Sequence, residues 1–263
     1  MPVLTAALFF CNPAMAEEKP LWELGVGVAA GSFPAYRGAA SQQSYVLPFP
    51  FVIYRGEKVT IDREGFSGEL FESTLWRLEL SADAMVQAQS EDGLRQGMPD
   101  LAPVLELGPS LEYLLGRDGA SAWKLRLPLR GALAIDSTTI SGQGWLFHPN
   151  LAVDTHNGSW ELGASFGPLF ATQRYHDYYY GVAPAYTTPS RDAYSAEAGY
   201  SGLRLTAGAS RYFGDLWLGA FLRYDDLRGA AFIDSPLVEQ EHALMGGVAM
   251  AWIFRRSANR VER

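Results

Sequence analysis

Hydrophobic and polar residues alternate with a period of two along most of the chain, and helical periodicity does not recur. Between Leu75 and Gln89, Trp76, Leu78, Leu80, Ala82, Ala84 and Val86 fall on one face. Arg77, Glu79, Ser81, Asp83 and Gln87 fall on the other. In the same way Trp123, Leu125, Leu127, Leu129, Leu133 and Ile135 oppose Lys124, Arg126, Arg130 and Asp136. Trp160, Leu162, Ala164, Phe166 and Phe170 oppose Glu161, Gly163, Ser165 and Gly167, and Leu203, Leu205, Ala207 and Ala209 oppose Arg204, Thr206, Gly208 and Ser210. These segments are long: a soluble strand averages about 5–6 residues, whereas a tilted membrane-spanning strand needs about 9–11.

The alternation predicts about twelve strands, near 21–30, 44–54, 57–63, 66–72, 75–88, 103–115, 121–136, 144–154, 158–171, 202–213, 215–227 and 242–254. Aromatic residues collect at their ends (Trp22, Tyr45, Tyr54, Trp76, Trp123, Trp145, Trp160, Tyr212, Trp217, Trp252 and Phe254), as interfacial girdles would require. Tight links at 55–58, 72–74, 116–119, 155–158 and 213–215 follow even-numbered strands. The longer links 31–43, 89–102, 137–143, 172–201 and 228–241 follow odd-numbered ones. The expected fold class is therefore all-β: a transmembrane antiparallel β-barrel of about twelve strands, with short periplasmic turns, long outer loops and both termini periplasmic. Pro48 and Pro50 fall inside the second expected strand, where a kink or bulge is anticipated.

Composition fits this reading. Hydrophobic residues make up 48% of the 263, yet mean hydropathy is only −0.04, because lumen-facing residues offset lipid-facing ones. No run of about 18 apolar residues follows the N-terminus, so no transmembrane helix is expected. A net charge of −8 without a basic cluster argues against nucleic acid as a partner. The single cysteine, Cys11, lies in an apolar opening segment that ends in Ala14-Met15-Ala16, a small-x-small cleavage pattern. The expected organisation is a signal peptide over 1–16 cleaved after Ala16, a barrel over 17–254, and a basic periplasmic tail over 255–263. The Lys/Arg-rich start usual for such a signal is missing, and Phe9 and Phe10 disfavour a lipidated Cys11.

Several short motifs resemble the MipA/OmpV family of outer-membrane proteins, in order along nearly the whole expected mature chain. They are Pro34-Ala35-Tyr36-Arg37-Gly38, the VLPFPFVIYRGE stretch from Val46, Tyr178-Tyr179-Tyr180-Gly181-Val182, Arg223-Tyr224, and Asp234-Ser235-Pro236-Leu237-Val238. The resemblance implies an outer-membrane barrel. The family is named for an MltA-interacting protein, a scaffold joining a lytic transglycosylase to a bifunctional penicillin-binding protein in peptidoglycan growth. Other members are described as antigens, adhesins or antibiotic-related porin-like proteins. A C-terminal aromatic signal fits Trp252-Ile253-Phe254, but Arg255 to Arg263 follow it.

Candidate chemistry is sparse. His148, Asn150 and Asp154 share a face and His156 lies in the next turn, but residues eight apart on a strand are about 26 Å apart, so no metal site is expected. Ser235 and His242 are the nearest approach to a nucleophile–base pair, and no Gly-x-Ser-x-Gly elbow exists. Neither a catalytic residue nor a cofactor is assigned. Arg77, Glu79, Asp83, Glu106, Glu112, Lys124, Arg126, Arg130, Glu161, Arg204, Arg223 and Asp225 are expected in the lumen, either pairing to fill it or lining a weakly selective pore.

The loop after the ninth expected strand carries Tyr175, His176, Tyr178, Tyr179, Tyr180 and Tyr186, a candidate binding loop for sugar or protein surfaces. The competing reading folds it over the barrel mouth. Tyr36, Arg37 and Asp234 form a candidate contact at the mouth, with Arg37 paired to Asp234. The functional expectation is an envelope scaffold without enzymatic activity, in contact with outer-membrane lipids and lipopolysaccharide and with a lytic transglycosylase and penicillin-binding protein. The alternatives are a porin-like passive pore for small solutes or antibiotics, and a surface adhesin or receptor using the Tyr-rich loop.

Overall fold

The computed structural model describes residues 18–56, 59–62, 65–85, 93–136 and 138–262. The expected signal peptide with Cys11 and Ala16, residues 86–92 of the expected fifth strand and its loop, and Arg263 lie outside them. The strands are β1 (Glu18–Pro20), β2 (Trp22–Pro34), β3 (Gln42–Arg55), β4 (Val59–Asp62), β5 (Gly65–Glu72), β6 (Trp76–Met85), β7 (Val104–Asp118), β8 (Ser121–Ile135), β9 (Ile140–Phe147), β10 (Asn150–Asn157), β11 (Trp160–Ala171), β12 (Gly199–Phe213), β13 (Leu216–Asp226), β14 (His242–Arg256) and β15 (Arg260–Glu262). One α-helix, α1 (Gln173–Tyr180), follows β11.

Thirteen of the described strands form one antiparallel sheet in which sequence neighbours pair, except β9 with β10. The last long strand, β14, pairs with the first, β2. β9 and β10 lie end to end between the same two neighbours, β8 and β11, and this brings the sheet round on itself. A single strand was expected over 144–154; the break falls at His148-Pro149. Proline has no N–H to give the ladder, and the chain here leans toward β11. Gly167 admits it: a Cβ at that position would sit 2.0 Å from the Pro149 carbonyl oxygen.

Side chains sort by parity. Val26, Val46, Val248, Met250, Leu205 and Leu222 point outward and are exposed, giving an apolar band. Tyr54, Trp76, Trp123, Trp160 and Trp252 lie near its short-turn end, and Trp145, Phe147, Phe170 and Tyr224 near its long-loop end. The two girdles suit the two membrane–water interfaces. Three aromatics expected in them are turned inward. Tyr45 lines the lumen, and Trp217 and Tyr212 belong to an apolar cluster at the short-turn end with Phe51, Ile53, Ala251 and Ile253. Strand parity overrides residue type here: Trp217 shares its face with Gly219, Arg223 and Asp225, all cavity-lining or buried.

Both described chain ends lie at the short-turn side, where Glu18–Pro20 pairs with Arg260–Glu262. β14 continues to Arg256, so the tail expected over 255–263 begins inside the sheet and its described end is β15. The parity assignment predicts that Val248→Arg lowers folding stability in bilayers by about 2–4 kcal/mol, the cost of a cation near the midplane. Urea titration in liposomes measures this, and an unchanged midpoint would place Val248 away from lipid.

Candidate functional site

The long-loop end is closed by the chain itself. α1 turns inward from β11, and Tyr175, His176, Tyr179 and Tyr180 are buried among Leu101, Val104, Leu146, Leu169, Phe232 and Leu237. The turn into the helix needs Gly144 on the neighbouring strand. Its φ is +98°, and a Cβ there would lie 2.2 Å from the Thr172 hydroxyl, which accepts a hydrogen bond from the Trp145 N–H at 3.0 Å.

Three buried phenols end on acceptors. Tyr175 donates to Glu106 Oε1 at 2.8 Å, Tyr180 to the Arg37 carbonyl at 3.0 Å, and Tyr36 to the Leu237 carbonyl at 2.7 Å. The half-buried Tyr178 donates to the Ala102 carbonyl at 3.1 Å. Tyr180 also stacks on Phe232 with centroids 3.6 Å apart, and Ser235 donates to its carbonyl at 2.7 Å. Burial pushes the phenols of Tyr36, Tyr175 and Tyr179 up and that of Tyr180 to about 12, so all four remain protonated at neutral pH. Burial lowers the pKa of His176, against the opposing effect of its 2.6 Å hydrogen bond with the Glu197 carbonyl.

Beneath this plug sits a charged knot. Arg204 grips Asp225 through two hydrogen bonds of 2.8 and 2.9 Å, and both are buried. Arg37 donates to the Ser201 carbonyl at 2.9 Å and hydroxyl at 2.6 Å, and lies 3.9 Å from Asp225. The expected Arg37–Asp234 pair is therefore corrected. Asp234 is exposed, because its turn spends its inward positions on Phe232, Ser235 and Leu237; the carboxylate that meets Arg37 comes from the wall. Tyr36 does touch the last loop, as expected of the mouth.

The candidate binding residues are thus mostly inside. Of the six candidate residues, Tyr178 and Tyr186 are half-buried and the rest are buried, while 183–185, 187–190 and 192–193 of the same loop are exposed. Two arginines not singled out in the sequence hold the surrounding loops. Arg95 donates to the Tyr179 carbonyl at 3.0 Å, and Arg191 donates to the carbonyls of Tyr186, Leu94 and Gln96. Such arginines satisfy loop carbonyls that would otherwise be buried bare. Nothing in their local sequence marks them, since their acceptors are backbone.

The lumen below is lined by paired charge. Arg126 and Lys124 both bridge Glu112 and Asp154 at 2.8–3.1 Å, and Arg130 and Arg223 converge on Asp83 at 3.4 and 3.3 Å. A cavity of about 760 Å³ remains between them. His148 and Asn150 line it, whereas His156 is exposed beside Glu161 at 3.8 Å. Ser235 is occupied by the Tyr180 carbonyl, while His242 is exposed and stacks on Tyr224. Among the described residues no three His, Cys, Asp or Glu side chains gather as a metal site.

Asp225→Ala leaves two arginines facing a missing carboxylate and should cost about 3–5 kcal/mol, read as a lower thermal midpoint. The mouth should also loosen in acid. His176 binds its proton less readily when packed than when free, so stability falls as pH drops below the ordinary value of 6.5 and levels off below the packed value. Deuterium uptake over 173–180, corrected for intrinsic exchange, should rise on that descent, and His176→Phe should flatten the response.

No curated protein matches this chain. Among solved structures, the NanC porin is 9% identical, covering 86% of this chain and 98% of that one at a TM-score of 0.41. The translocator domain of the autotransporter NalP from Neisseria meningitidis is 11% identical over 89% and 88%, at 0.46. The outer membrane phospholipase A from Escherichia coli is 12% identical over 93% and 94%, at 0.36. At these scores the likenesses carry no argument. Residues 26–254 match the family described as MltA-interacting protein MipA, and this outer-membrane β-barrel belongs to that family.

Proposed function

We propose that the protein is a non-enzymatic envelope scaffold, a barrel whose working surface is its periplasmic end rather than a diffusion channel. The observation that carries this reading is the plug: the loop best suited to bind a surface partner is spent on filling the mouth, with Tyr175, Tyr179 and Tyr180 buried. Lumen charges of both signs pair around the cavity, which suits an interior without strong ion selectivity. At the short-turn end, β1 and β15 form an ordered two-strand platform carrying Lys19 and Arg260, and Arg256 reaches Glu23 at 3.6 Å beside it.

The family name points to a lytic transglycosylase as one partner, and peptidoglycan growth supplies a penicillin-binding protein as the second. With short turns facing the periplasm, the terminal platform is the surface that would meet them. Crosslinking in intact cells should capture a lytic transglycosylase, and the yield should fall at least several-fold when 257–263 are deleted. Recovery of lipopolysaccharide and other barrels alone would remove the scaffold reading. In planar bilayers the purified barrel should be nearly silent, and deletion of 173–180 should raise conductance. A large steady conductance from the intact chain would favour the porin-like alternative instead.

A further inference from the structure

β3 is fully paired on one side only. Toward β2 its register runs unbroken from Trp22↔Tyr54 to Pro34↔Gln42. Toward β4 it consists of Tyr54↔Ile61 and Arg55↔Thr60. Across the gap, β5 meets β6 from Glu72↔Arg77 to Gly68↔Leu80 and climbs no further. Among the described residues the β4–β5 hairpin closes the wall only near the short-turn end. Above it, no described strand lies against the β3 edge between Val46 and Pro50.

Two prolines stand on that edge. The Arg55 N–H donates to the Leu21 carbonyl at 2.7 Å. Backbone polar groups alternate sides along a strand, so those of the even-numbered residues turn away from β2. Pro48 and Pro50 are even-numbered, and the N–H groups they lack are the ones that would face the opening. Prolines here remove donors that hydrocarbon could not satisfy, and they deny the edge to an added strand. The register sets Val46, Pro48 and Pro50 level with Val248, Met250 and Trp252, within the lipid-facing band.

The cavity reaches this side. Leu47 points inward yet is 55% exposed, whereas Glu112, inward on a strand with neighbours on both sides, is 7% exposed. Leu47 and Asp83 both line the cavity, which α1 caps above and the Phe51–Trp217 cluster partly floors below. Inside, Nε of Arg223 and Nε2 of His148 are buried without a hydrogen-bond partner.

We infer that the gap between β3 and β6 admits a membrane amphiphile sideways: its acyl chain lies across Val46 and Leu47, and its phosphate-bearing headgroup sits among Arg130, Arg223 and His148. The chemistry is common to phospholipid and lipopolysaccharide, and it does not depend on the scaffold reading. The test places photoreactive benzoylphenylalanine at Leu47, or at Ser165 on the sealed wall, and irradiates whole cells. The expected result is a lipid adduct several-fold stronger at Leu47, whose mass separates phospholipid from lipopolysaccharide. Equal lipid labelling at both sites, no adduct, or an adduct only to β6 or to a second copy of the chain would overturn it. Should the bulky probe disturb folding, a nitroxide on Leu47→Cys is relaxed more strongly by oxygen than by a water-soluble nickel chelate if the opening faces lipid. The reverse order would refute the proposal.

Discussion

Hydrocarbon offers nothing to a bare N–H or carbonyl, and every large feature of this molecule answers that constraint. It explains why β14 must return to β2, and why β9 and β10 share a lane although Pro149 breaks the ladder between them. Prolines also stand elsewhere in the wall, at Pro109, Pro128 and Pro168, where each costs at most one ladder bond. Where the described ladder stops, beside Val46 to Pro50, two of the donors on the open side are missing because Pro48 and Pro50 stand there.

A second level of organisation is electrostatic and ties the wall to what fills it. Asp225 is the common partner: Arg204 holds it from the adjacent strand and Arg37 faces it from the first long loop. Arg37 in turn presents its carbonyl to Tyr180, which stacks on Phe232 from the last long loop. Wall, plug and two loops therefore meet around one carboxylate. Taking charges out of water is costly unless each is well paired, so this arrangement specifies how the mouth is packed as much as it strengthens it.

The wall was legible in the sequence because a period of two survives any detail of packing. Leu75 to Met85 could be sorted into lipid and lumen faces without coordinates. Loop lengths gave the polarity of the ends. The inward turn of Trp217 was misread because residue type was weighed above parity, although Gly219, Arg223 and Asp225 on the same face carried the signal. The plug helix was harder. Tyr175, Tyr178 and Tyr179 have helical spacing, but eight residues hold too few turns to stand out. The partner of Arg37 depends on strand register far along the chain, which local sequence does not encode. The two prolines were visible, and their meaning required knowing which side of β3 has a neighbour.

The clasp between Glu18–Pro20 and Arg260–Glu262 has a kinetic consequence. Contacts that join the first residues to the last carry the greatest loop-closure entropy, so topologies rich in them fold slowly. Here the seam cannot form until β14 has been made, and the hydrogen bond from Tyr36 to Leu237 joins loops on either side of it. An unfinished or truncated chain would hold two raw sheet edges and an undocked mouth, a species prone to stick to its neighbours. The protein is thus committed to an assembly route in which closure comes late, and any factor that escorts it must shelter both ends of the same sheet at once.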